Sequence, residues 1–93
     1  MKNIEVVKSF FIDGIASTEH VTTDGTRLWS YNTCIAEKSI VDGKVVLIIN
    51  NTKYSQTTSH HQSLLNREVP VTYNVLYTNE PVPRNSQHLT EFI

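Results

Sequence analysis

The chain has 93 residues, which fits one domain, and eight basic against nine acidic residues leave a formal charge of −1. This balance excludes a strong general attraction to nucleic acid, and equally a strongly acidic mimic of DNA. The single cysteine, Cys34, excludes an intramolecular disulfide framework. Because small secreted domains are usually held by disulfides, and because the N-terminus lacks a signal-peptide core, we expect a cytoplasmic protein.

Three Asp-Gly pairs punctuate the first half of the chain, and this dipeptide favours hairpin turns because it adopts positive φ at low cost. The pairs are Asp13-Gly14, Asp24-Gly25 and Asp42-Gly43. The segments around them are rich in β-branched and aromatic residues or alternate between apolar and polar ones, which is typical of strands. The predicted strands cover residues 4–12, 17–23, 27–36 and 44–50. Together they predict an antiparallel meander.

After residue 50 the pattern changes from strand to helix. Ser59-His60-His61-Gln62 has the form of a capping box with Ser59 as N-cap, and Leu64 and Leu65 would anchor about two helical turns on the sheet. A further extended run, residues 71–77, follows Pro70. The prediction is an α+β fold in which an antiparallel sheet of about five strands carries one short helix.

The domain organisation follows from the two prolines near the C-terminus. Pro81 and Pro83 interrupt regular structure and begin a polar segment. We therefore predict a single α+β domain over residues 1–80. Residues 81–93 would form a Pro-containing tail that either docks as a short edge strand or stays mobile.

Cys34, His60 and His61 are the candidate metal ligands, because zinc favours thiolate and imidazole groups. One histidine at the helix start could meet Cys34 if the helix packs across the strand that carries the cysteine. No CxxC or HxxxH spacing supports this, and the alternative is two polar helix-start residues with a buried, apolar Cys34. A structural Zn²⁺ is therefore one expectation, and a metal bridging two copies through exposed histidines is another.

A hydrolase would use Ser55 or Ser59 as nucleophile and a neighbouring histidine as base. Such chemistry needs a third group that orients the base, and no acid lies within the segment. The chain also lacks the GxSxG elbow. We expect the protein not to be an enzyme.

The residues around the predicted helix start are the candidate partner-binding residues: Lys53, Tyr54, Thr57 and Thr58. Free backbone N–H groups at a helix N-terminus attract anions, and Lys53 would add a positive charge. Tyr54 beside Lys53 would also suit stacking of a single-stranded nucleic acid. The competing interpretation is that the hydroxyl residues serve as ordinary helix caps.

Two segments in order, SYNTCIA at residues 30–36 and YSQTTSHHQ at residues 54–62, carry a resemblance to a known family. They resemble a small domain of unknown function that recurs in bacteriophage and mobile-element proteins, with a pattern of S-Y-x-T-x-[IV]-A followed by Y-S-x-T-T-S-x-H-Q. His61 and Gln62 fall on motif positions, whereas Cys34 and His60 fall on variable ones. The similarity covers about the central 40 residues and implies no catalytic activity.

The resemblance implies a short phage protein that acts in the cytoplasm of a bacterial host. Small type II anti-CRISPR proteins are similar in length and setting. The resulting hypothesis is an anti-CRISPR inhibitor that binds Cas9 stoichiometrically and blocks DNA loading or cleavage. The alternative is a non-catalytic, nucleic-acid-binding accessory protein of a mobile element.

Overall fold

The computed structural model describes residues 1–93 and shows a six-stranded sheet with two α-helices. The elements are α1 (Asn3–Phe11), β1 (Ala16–Ser17), β2 (Val21–Thr23), β3 (Arg27–Ser30), β4 (Thr33–Val41), β5 (Lys44–Ile49), α2 (Gln56–Glu68), β6 (Val75–Tyr77) and a 3₁₀-helix (Leu89–Phe92). The predicted α+β class is confirmed, with six strands instead of about five and two α-helices instead of one. No helix has the length and apolar character needed to cross a membrane.

The first element, α1, is a helix where the sequence pattern predicted a strand. Val6, Val7 and Phe10 are completely buried. Val7 follows Val6 directly and Phe10 comes three residues later, which places all three on one face of a helix. Side chains on one face of a strand would instead lie two residues apart. The prediction was wrong because β-branched and aromatic residues favour strands locally, whereas burial of this face against the sheet decides the conformation.

The pair Asp13-Gly14 ends α1 and does not turn a hairpin. Asp13 adopts a left-handed φ of 59°, which is a common way to end a helix. The Lys38 ammonium donates to the carbonyl of Phe10 and pairs with the Asp13 carboxylate. Gly25 fits against this corner with a φ of 94°, and a Cβ there would lie 2.8 Å from the Asp13 carbonyl oxygen. Only glycine allows this close approach.

The strands lie in the order β1-β2-β3-β4-β5-β6, and neighbours are antiparallel as far as β5. Strand β6 pairs with β5 in parallel, with Leu47 opposite Val75 and Ile49 opposite Tyr77. The last pair differs from the predicted antiparallel meander because α2 connects these strands, and such a crossover returns the chain in the same direction.

Side chains pack on both faces of the sheet. Helices α1 and α2 cover one face, and the principal core lies beneath them. The C-terminal segment covers the other face, where Val82 and Leu89 pack with Cys34 and Ile48. Residues 81–93 therefore dock on the sheet through a 3₁₀-helix and not as an edge strand.

Candidate functional site

Helix α2 starts one turn earlier than the predicted capping box. Ser55 is the N-cap, and its hydroxyl oxygen accepts a hydrogen bond from the Thr58 N–H at 3.2 Å. Ser59, the predicted N-cap, lies inside the helix, which extends for 13 residues. His60 and His61 consequently lie in the second turn, with His60 exposed and His61 buried.

His61 is the centre of a buried polar network. Its Nδ1 lies 2.6 Å from Ser30 Oγ, and its Nε2 lies 3.4 Å from Asn3 Nδ2. The Ser30 hydroxyl donates to Thr58 Oγ1 at 3.2 Å, and the Thr18 hydroxyl donates to Asn3 Oδ1 at 2.6 Å. One assignment satisfies every group: Asn3 donates to Nε2, Nδ1–H donates to Ser30, and Ser30 donates onward to Thr58. The imidazole is neutral in this arrangement.

The network joins four parts of the fold: α1, the turn between β1 and β2, strand β3 and α2. The contact between Ser30 and His61 has the composition of a nucleophile and its base. Ser30 is fully buried, however, and the second ring nitrogen faces the amide of Asn3 instead of a carboxylate. The geometry of this pair is that of a structural hydrogen-bond network.

The buried environment of His61 predicts acid sensitivity. Burial lowers the pKa of His61 below its usual 6.5, and the charges of His60 and His20 lower this pKa further. Below about pH 6.5, His61 binds a proton in the unfolded chain but stays neutral in the folded chain. The free energy of unfolding therefore falls as the pH falls. We expect a loss of at most about 1.4 kcal/mol per pH unit.

Denaturant titrations between pH 7.5 and 5 would measure this loss. A His61→Gln variant, which has no titrating group at this position, should show a shallower pH dependence. An equal dependence in both proteins would contradict the assignment to His61.

The structure does not bring Cys34 to the histidine pair. Cys34 is completely buried on the sheet face opposite the helices, where its thiol donates to the Ala36 carbonyl at 3.4 Å. Burial, with a smaller contribution from the Glu37 charge, raises the pKa of the Cys34 thiol to about 12. The sheet therefore lies between this thiol and the imidazoles of His60 and His61.

No group of three or more histidine, cysteine or acidic side chains in the chain is placed to hold a metal ion. Zinc content stays a prediction that elemental analysis of the purified protein would check.

Tyr54, a predicted partner-binding residue, makes hydrogen bonds that connect the end of β5 to the C-terminal segment. Its hydroxyl accepts from Asn50 Nδ2 at 2.9 Å and donates to the Val82 carbonyl. The guanidinium carbon of Arg84 lies 5.6 Å from the centre of the Tyr54 ring. The ring is thus partly covered and anchors the C-terminal segment, which leaves it poorly placed for stacking on a base.

The other predicted partner-binding residues divide between interior and surface. Thr58 is buried in the His61 network, whereas Lys53 and Thr57 are exposed near the start of α2. Gln62, which closes the motif, donates from Nε2 to the carbonyls of Asn50 and Thr52. The buried residues of the motif, Thr58, His61 and Gln62, therefore hold α2 to the strands, whereas Ser55, Gln56, Thr57 and His60 are exposed.

A cluster of exposed and half-buried aromatic and polar side chains borders the His61 network around the turn between β3 and β4, where the ring of Tyr31 lies 6.2 Å from the ring of His61. A shallow cleft of about 270 Å³ lies there, and the ring of His20 packs 5.3 Å from the ring of Tyr31. We call this region the aromatic surface, and its residues are His20, Thr22, Trp29, Tyr31, Asn32 and Gln87. The Trp29 indole N–H donates to the Gln87 side chain, which fixes the orientation of the indole ring.

Tyr31 is strained at the centre of this aromatic surface. It is the first residue of a two-residue turn, its φ is 54°, and half of its side chain is exposed. Glycine is preferred at such a position, and a bulky residue there costs of order 1–3 kcal/mol. The Tyr31 N–H donates to the His20 carbonyl at 2.8 Å, which helps to hold the turn.

Sequence reasoning did not predict the turn at this site, because Trp29, Tyr31, Thr33 and Ile35 alternate as in one continuous strand. The structure instead places a turn at Tyr31 and Asn32, with a register irregularity between Leu28 and Trp29. No glycine marks the turn. The one available signal was Asn32, which favours turns.

The chain belongs to a family of unknown function, DUF8033, whose sequence model matches residues 3–70. No curated protein and no solved structure gives a significant match. The matched range includes α1 and α2, the His61 network and most of the aromatic surface. Gln87 and the C-terminal segment lie beyond it.

Proposed function

We propose that the protein is a stoichiometric protein-binding module that contacts its partner through the aromatic surface. The observation that carries this proposal is the exposed, strained Tyr31 between His20 and the cleft beside Trp29. Tryptophan and tyrosine are enriched among the residues that dominate binding energy, because they bury a large area at low cost in side-chain entropy. Thr22, Asn32 and Gln87 would supply a polar rim around them.

The proposed partner is Cas9, which the protein would inhibit as a phage-type anti-CRISPR protein by blocking DNA loading or cleavage. Support comes from the small size of the chain and from the phage-like motif pair in residues 30–36 and 54–62. A nucleic-acid-binding accessory role has less support, because Arg84 covers the Tyr54 ring and the formal charge of the chain is −1.

Replacing Tyr31 tests the aromatic surface. We expect wild-type protein to stop Cas9 cleavage at about molar equivalence and Tyr31→Gly to lose at least tenfold in inhibition. The variant should stay within about 1 kcal/mol of wild-type stability, because relief of the positive φ offsets the greater freedom of glycine in the unfolded chain. Cleavage assays and denaturant titrations would measure the two effects.

Asp42→Gly is the matched control. Asp42 also has a positive φ, 53°, in a two-residue hairpin turn, but it lies away from the aromatic surface. The Asp42→Gly variant should inhibit Cas9 cleavage as fully as the wild-type protein. Undiminished cleavage in the presence of excess wild-type protein would contradict Cas9 as the partner, and full inhibition by Tyr31→Gly would contradict the aromatic surface as the contact.

A further inference from the structure

Trp29 belongs both to the aromatic surface and to the face of the sheet that the C-terminal segment, residues 81–93, covers. Its side chain lines the cleft of the aromatic surface. The same side chain packs against the buried cluster in which Val82 and Leu89 of the C-terminal segment meet Cys34. Trp29 is half-buried as a result. The C-terminal segment therefore supplies part of the environment that holds this ring in place.

Gln87 is the residue of the C-terminal segment that lines this cleft, and both ends of its side-chain amide are used. The Oε1 atom accepts from the Trp29 indole N–H, and the Nε2 atom donates to the Asn85 carbonyl at 3.3 Å. An indole ring has this single hydrogen-bond donor. The hydrogen bond that orients the Trp29 ring is therefore present only while Gln87 stays in place.

Two charged side chains hold the backbone around Gln87 against the sheet. Arg27 donates from Nε to the Gln87 carbonyl at 2.8 Å and from Nη2 to the Glu37 carboxylate at 2.7 Å. The other oxygen of that carboxylate accepts from the Leu89 N–H at 2.8 Å. Arg27 and Trp29 lie two residues apart in β3, and hence on the same face of the sheet. The anchored backbone thus places the Gln87 amide beside the indole.

We infer that the C-terminal segment regulates the aromatic surface, with Gln87 as the residue that positions the Trp29 indole for binding. This inference rests on the proposed function, since it concerns the same surface. With the segment docked, the indole is already held before the partner arrives, so less side-chain freedom is lost on binding. With the segment released, the indole loses its hydrogen bond and part of the cluster it packs against, and the partner binds less tightly. By linkage, a bound partner holds the segment on the sheet.

Trp29 is the only tryptophan, so the fluorescence of the full chain follows this ring without any partner present. Gln87→Leu removes the acceptor at an exposed position with little change in side-chain size. We expect lower Trp29 anisotropy, roughly twofold stronger quenching by acrylamide, and roughly three- to tenfold weaker inhibition of Cas9. Gln87→Glu keeps an oxygen acceptor and should restore the anisotropy and quenching to the wild-type values.

Glu37→Ala separates positioning from direct contact, because the Glu37 side chain is buried and cannot reach a partner. Release of the segment in this variant should lower both the Trp29 anisotropy and the inhibition, with circular dichroism confirming that the domain is folded. Thr90→Ala is the control, since Thr90 is exposed in the same segment and does not line the cleft. It should match the wild-type protein in both measurements.

Wild-type anisotropy and quenching in Gln87→Leu would overturn the positioning of Trp29 by Gln87. Altered fluorescence with full inhibition in Gln87→Leu and Glu37→Ala would overturn the regulation of the aromatic surface. Failure of the wild-type protein to inhibit Cas9 would contradict the proposed function instead, and the fluorescence comparison, made without Cas9, would still decide whether Gln87 positions Trp29.

Discussion

Replacing His61 with alanine should lower the free energy of unfolding by about 2–4 kcal/mol. The change removes a side chain that is 2% exposed and leaves the fully buried Ser30 hydroxyl without its imidazole partner. A domain of this size has roughly 5–15 kcal/mol of stability in total, so the loss is a large fraction. The melting temperature should fall by roughly 10–25 °C, measurable by calorimetry.

His60→Ala is the matched control for this variant. His60 is adjacent in the same helix but exposed, and alanine is the better helix former. Its melting temperature should therefore equal or slightly exceed that of the wild type. If His60→Ala destabilised the protein as much as His61→Ala, the buried network would not be the cause.

Replacing Glu37 with alanine should cost about 3 kcal/mol and release the C-terminal segment. The Glu37 carboxylate is nearly buried, accepts from Arg27 Nη2 at 2.7 Å and accepts from the Leu89 N–H at 2.8 Å. Its loss leaves the Arg27 charge without an acidic partner and a buried N–H without an acceptor. This loss in free energy of unfolding is at the low end of that for a broken buried ion pair, because Arg27 is still about a quarter exposed.

Glu37→Gln separates the two contributions of this residue. The amide oxygen still accepts from the Leu89 N–H, so this variant should lose less stability than the alanine variant. Glu80→Ala removes an exposed carboxylate near the start of the C-terminal segment and should be neutral. Limited proteolysis would report release of residues 81–93. Equal resistance in Glu37→Ala and wild type would contradict the role of Glu37 as the anchor.

The fold was predictable where local and tertiary preferences agree. The continuous apolar run of β5 was predicted correctly, and Asp42-Gly43 turns the hairpin between β4 and β5. Residues 4–12 were predicted as a strand because β-branched and aromatic residues dominate there, but packing against the sheet made them a helix. The parallel pairing of β6 was missed because neither its short strand nor Pro70 reveals the direction of the returning chain.

The candidate site was less predictable than the fold. Residues 54–62 were singled out from their polar side chains, but from these alone the buried contact between His61 and Ser30 could not be separated from catalytic or metal chemistry. The positive φ of Tyr31 was not predicted because it arises from the turn that tertiary packing imposes. The alternation of apolar and polar residues predicts which side chains share a strand face, but it does not predict a positive φ in a non-glycine residue.

The position of Cys34 gives the protein a built-in chemical reporter. The thiol lies in the same cluster as Val82 and Leu89, and its pKa of about 12 keeps it in the unreactive thiol form. A thiol-specific dye would therefore react only after the C-terminal segment lifts from the sheet or the whole domain opens. The labelling rate of this one native cysteine would then follow how often that opening occurs, without any introduced probe.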